Sequence, residues 1–125
     1  MFEVRREEFE SLVAAAVDAL PDEFRDRISN VDFVVEAQAR AEDHVLTRAP
    51  AGATLLGVYR GVPLTHRLSG YHMTLPDRIV VFQQPIERVS RDADDLAKRI
   101  AAVVRHEVAH YFGISDERLR EIDAY

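Results

Sequence analysis

The spacing of apolar residues divides the chain into helical and extended stretches. Over residues 5–20, Phe9, Leu12, Val13, Ala16, Val17 and Leu20 recur at three- and four-residue intervals, so they share one face of an amphipathic helix. Such a face belongs against a sheet. Pro21 ends that helix, and Pro21-Asp22-Glu23-Phe24-Arg25 can start a short second one, because proline suits a first helical position. Residues 31–37, with Val31, Phe33, Val34 and Val35, read as a first strand. Residues 40–52 show no clear period and are expected to form a loop, with His44 exposed in it. Residues 54–60 read as a second strand, ended by Gly61-Val62-Pro63, and residues 78–83 as a third, stopped by Pro85. Between them, residues 64–76 carry His66, Arg67, Ser69, Gly70, Tyr71 and His72 without periodicity. A polar, aromatic loop of this length is either functional or plain surface.

The last long periodic stretch begins near Asp92, where Asp92, Asp94 and Asp95 supply a cap and an acidic first turn. At about 100° per residue, Leu96, Ile100, Val103, Val104, Val108, Tyr111 and Phe112 fill one broad apolar arc. Glu107 falls inside that arc. An ionised carboxylate facing a core is costly unless something pairs with it or uses it. On either side of that position the chain reads His106-Glu107-Val108-Ala109-His110. Two histidines four apart on a helix lie on one side and can bind one metal ion, here at the edge of the arc, where a cleft could meet them. Glu107, beside the first, can reach a water at that metal and serve as general base. Gly113 can end the helix in a left-handed conformation and let the chain turn back, bringing Asp116 to the metal as a third ligand. Three ligands leave a fourth position open, the mark of a catalytic site. Asp116 has a second reading. Ser115 can cap a final helix over residues 116–124, and Asp116 would then favour its dipole. The order helix, strands, helix, helix predicts an α+β fold with a small mixed or antiparallel sheet covered on one face by helices.

The block His106-Glu107-Val108-Ala109-His110-Tyr111-Phe112-Gly113-Ile114-Ser115-Asp116 resembles the metal-binding helix of zincin metallopeptidases, in the H-E-x-x-H-x-x-G-x-x-D form. With Leu55-Leu56-Gly57-Val58-Tyr59-Arg60-Gly61-Val62-Pro63-Leu64 and Leu75-Pro76-Asp77-Arg78-Ile79, most of the chain is similar to the small bacterial zincin-like metallopeptidases. That likeness implies a minimal zincin fold, with a sheet of about three to four strands packed against the N-terminal helix and the metal helix. It implies zinc (Zn2+) held by His106, His110 and Asp116, Glu107 as catalytic base, and a peptide or protein substrate. In zincins an edge strand runs along the cleft and binds an extended peptide, a role for the third strand or the one before it. One of Tyr71, His66 and His72 could stabilise an oxyanion. The chain departs from metzincins in one respect: its only methionines are Met1 and Met73, so no methionine-containing turn follows the motif.

Composition narrows the setting. The 125 residues fit one domain, residues 1–125, with no repeat or linker. There is no cysteine, hence no disulfide, no thiolate ligand and no thiol nucleophile, which fits a cytoplasmic location. The N-terminal residues lack a signal-peptide core, and no apolar run is long enough to cross a membrane. The net charge of −6 argues against a nucleic-acid partner. The sequence leaves oligomeric state open. It points to a zinc peptidase, with two alternatives: a zincin-like binding or regulatory module without strong catalysis, and a hydrolase of non-peptide amides.

Overall fold

Strand β3 (Asp77–Phe82) lies at the centre of the sheet, and Ile79, Val80, Val81 and Phe82 in it are all fully buried. A strand covered on both faces needs no alternation, which is why this segment reads as a continuous apolar run. β3 pairs in parallel with β1 (Val31–Glu36) and antiparallel with β2 (Gly57–Arg60), giving the order β1-β3-β2. These strands belong to a computed structural model that describes residues 2–28, 30–49, 52–61 and 77–114. The third strand is therefore ruled out as the cleft edge, because both its sides are paired. β2 takes that place among the described residues.

Helix α1 (Arg6–Asp18) buries Phe9, Val13 and Ala16, the stripe its periodicity marks. It packs beside α5 (Ala93–Tyr111), and together they cover Ile79 and Val81. The opposite face is closed on a smaller scale, where Val58, Val80 and Phe82 meet Ala39 and Leu55 from the connections. The result is α+β with a small mixed sheet, as the element order predicts. α2 (Asp22–Arg25) follows Pro21, and Phe24 sets its ring 5.4 Å from Phe112 at the end of α5. No helix among the described residues is long and apolar enough to cross a membrane.

Two helices appear where none is expected. α4 (Gln83–Val89) follows β3 directly, so Pro85 not only ends the strand but sits in a first helical turn. There its missing N–H has no intrahelical partner to lose. α4 also ties down the N-terminal segment: the buried Glu87 carboxylate accepts the Val4 N–H at 2.9 Å, and Gln83 donates to the Val4 carbonyl at 3.1 Å.

α3 (Ala41–Thr47) replaces the loop expected over residues 40–52. It has no apolar face to read, for Val45 and Leu46 are exposed. Asp43 holds it instead. This carboxylate is 1% exposed and accepts the Arg40 N–H at 2.9 Å. Arg60 of β2 donates to both its oxygens at 2.8 Å, and to both oxygens of Glu36 at 3.0 and 3.1 Å. Burial pushes the Asp43 carboxyl up. The hydrogen bond from Arg60, the Arg40 N–H and the two arginine charges outweigh it and hold the group below its ordinary value of 3.8. The Asp43 bond in turn raises Arg60 further above the usual arginine range. Asp43→Ala leaves Arg60 with half its partners and is expected to cost about 3 kcal/mol, measured by denaturant unfolding. Because the folded pKa is depressed, this stabilisation is complete above 3.8 and is lost as pH falls through the lower folded value. Acid unfolding of the variant should therefore show a shallower dependence on pH below 4 than the parent, a threshold of about the ordinary Asp pKa.

Candidate metal centre

Helix α5 begins where the sequence places it. Asp92 is its N-cap, with its carboxylate accepting the Asp95 N–H at 2.8 Å. It ends in a Schellman turn: the Gly113 N–H donates to the His110 carbonyl and the Ile114 N–H to the Ala109 carbonyl, both at 2.9 Å. Gly113 has φ 78, the left-handed conformation expected of it. The chain thus turns away three residues after the second histidine.

Along α5, residues 99, 102, 103, 106, 107 and 110 follow the spacing 3, 1, 3, 1, 3, which makes one stripe. This stripe walls a cleft of about 590 Å³. The other side is built by Leu55, Leu56 and Gly57 at the start of β2, with Thr47 from α3. Gly57 allows the approach: a Cβ there would lie 2.5 Å from Cγ1 of Val103, 3.1 Å from the Val80 carbonyl oxygen and 3.4 Å from Cγ of Glu107. Gly57→Ala must push β2 away from α5 or off β3. It is expected to cost about 1–3 kcal/mol, the range for overpacking a filled site, seen as a lowered midpoint of denaturant unfolding.

His106 and His110 are half-buried, with ring centroids 4.5 Å apart and the planes tilted at 66°. Glu107 is 6% exposed, which confirms that it points inward among the apolar residues. Its Oε1 lies 3.2 Å from Nδ1 of His110, and among the described residues this imidazole is the carboxylate's partner. One donor atom from each of His106, Glu107 and His110 lies within 4.8 Å of the others. Two imidazole nitrogens open to a cleft, with no thiolate and with a carboxylate beside them to act on a bound water, suit zinc.

Asp116 lies outside the described residues, as do His66, Tyr71 and His72 and the final helix expected over residues 116–124. His44 is not in an exposed loop; it sits in α3, half-buried, with Nδ1 enclosed and without a hydrogen-bond partner among the described residues. The lower part of the stripe, Arg99 and Ala102, carries a signal that the motif alone does not convey. These two residues precede His106 by seven and four positions, which puts them on the same side of the helix.

The structure is similar to that of a conserved hypothetical protein from Thermo thermophilus, with a TM-score of 0.59 and 21% identity, covering 87% of this chain and 94% of that one. At that identity the likeness is one of fold. No curated protein matches the chain. The profile of the zincin-like metallopeptidases matches residues 28–125, which takes in all three strands, the cleft wall and the whole of α5. The mixed sheet, the packed helices and the histidine-bearing α5 are those of a minimal zincin fold, and the chain belongs to the zincin-like metallopeptidase family.

Proposed function

We propose that this protein is a zinc-dependent peptidase, with His106, His110 and Asp116 as metal ligands and Glu107 as general base. The observation that carries this reading is Glu107. It is a carboxylate at 6% exposure, lined up with two imidazoles on a cleft, with no arginine or lysine beside it among the described residues. A fold that needed only packing would place a leucine or valine there. When bound, zinc supplies Lewis acidity, lowering the pKa of water toward about 7 and polarising the carbonyl under attack. Glu107 then does the proton work. One of its carboxylate oxygens takes the proton of the attacking water and delivers it to the leaving amine nitrogen, so one group serves both half-steps. The substrate is a peptide or protein segment. β2 is paired on one side by β3 and flanks the cleft, so an extended peptide can add along its other side and lay a carbonyl over the histidines. The test is cleavage of a mixed peptide library by the zinc-loaded protein. We expect cleavage that a chelator abolishes and added zinc restores. A zinc-loaded protein that cleaves nothing in the library would leave the binding-module reading in its place.

A further inference from the structure

We infer that the cleft selects peptides carrying a carboxylate about three residues from the bond to be cut, and that Arg99 is the residue that reads it. This inference rests on the peptidase reading above and adds the substrate class to it. Arg99 is the one cationic side chain among the described residues that line the cleft, whose remaining wall is mostly apolar or small. At about 100° per residue its azimuth on α5 falls between those of His110 and His106, within about 20° of each. It therefore stands on the same line down the helix as the two imidazoles. The distance along that line is seven residues from His106, or about 10.5 Å at 1.5 Å per residue. An extended peptide advances about 3.3 Å per residue, so three residues span the interval.

The guanidinium is also prepared for the task. Its Nε donates to Asp95 Oδ2 at 3.1 Å, while its two terminal nitrogens have no partner among the described residues. Asp95 is itself fixed, accepting the Arg91 N–H at 3.0 Å and donating its own N–H to the Asp92 cap at 2.8 Å. Asp95 also lies 3.7 Å from the Arg91 guanidinium, so two arginines share this carboxylate. The side that remains for a ligand is the paired-nitrogen end of Arg99, which matches a carboxylate with two parallel hydrogen bonds. In a chain of net charge −6, a lone cation on a largely apolar wall is the feature that tells one peptide from another.

The carboxylate can be a glutamate side chain or a peptide's own C-terminus, and the experiment separates them. Fluorescence anisotropy is read on the full chain in the Glu107→Gln background, once with zinc and once with chelator. The probes are labelled octapeptides of alanine and leucine. One set carries glutamate third from either end, a second has glutamine there, and each is made with a free or an amidated C-terminus. We expect the carboxylate-bearing peptide to bind roughly tenfold more tightly than its neutral counterpart, the size of a charged hydrogen-bond pair at a half-exposed site. A glutamate-over-glutamine preference assigns the side chain, and a free-over-amidated preference assigns the C-terminus. Arg99→Gln should abolish the preference while neutral peptides bind as before, and Arg99→Lys should keep part of it. Equal affinities for acid and neutral peptides, no binding by any peptide, or a preference that survives Arg99→Gln would each overturn the assignment. The two readings fail separately. A carboxylate preference without cleavage by the zinc-loaded parent removes the peptidase reading alone, and cleavage without a carboxylate preference removes the role of Arg99 alone.

Discussion

Glu107→Gln should lower peptide hydrolysis by about 10²–10⁴-fold, the usual loss when a general base is removed, and should leave zinc bound. Its melting temperature should equal or exceed that of the parent. The two results have one origin. Glu107 is 6% exposed and surrounded by the residues of the α5 core, with Leu96, Ile100 and Val104 fully buried on the same arc. An ionised carboxylate there is desolvated, and its partner among the described residues is an imidazole at 3.2 Å. Glutamine keeps the shape and removes the charge, so the fold loses a strain while the reaction loses its proton carrier. The measurement is paired: melting of the zinc-loaded forms, and cleavage rate on whichever peptide the library yields. A variant that cleaves as fast as the parent would sink the mechanism. A variant that is inactive but also strongly destabilised would show that Glu107 serves the fold through His110.

The outcome at Glu107 bears on how much of the molecule can be read from sequence. Where one physical cause sets a residue pattern, the pattern is legible. The arc of α5 is set by burial alone, and the one charged residue inside it stands out. The apolar run of β3 is likewise a burial signal, although it does not tell that the strand is central; that depends on β1 and β2, distant in sequence, arriving on both sides. α3 has no such signal. It is two turns long, exposes Val45 and Leu46, and is held by the contact of Asp43 with Arg60, which lies 17 residues away. No local window contains that cause. α4 hides for another reason: Pro85 ordinarily argues for a break, and here the break and the helix start coincide. The cleft stripe is intermediate. Val103 belongs both to the core arc and to the cleft wall, so the apolar pattern absorbs it, while Glu107 stands out from that pattern without telling that a cleft lies beside it. Only the polar members, Arg99, His106 and His110, show that a second surface begins at the edge of the first.

The other large effect expected is on the metal. The parent should bind about one zinc per chain, and His106→Ala or His110→Ala should each reduce that affinity by orders of magnitude, because a three-ligand catalytic site has no spare donor. Folding should survive both changes. The two imidazoles are half-buried and open to the cleft, whereas the helix that carries them is held by Leu96, Ile100, Val104 and Val108 on its other side. Circular dichroism of the metal-free variants should match the metal-free parent, with zinc titration then separating them. Asp116→Asn discriminates between its two readings. As a ligand, the carboxylate is replaced by a weaker neutral donor, so zinc affinity falls with the fold intact. As a first-turn helix residue, its loss costs about 0.3–1 kcal/mol of stability and leaves zinc affinity where it was. An affinity unchanged by Asp116→Asn would remove the third ligand from the site. The two histidines within reach of Glu107 would then need a donor from elsewhere in the chain to hold the ion.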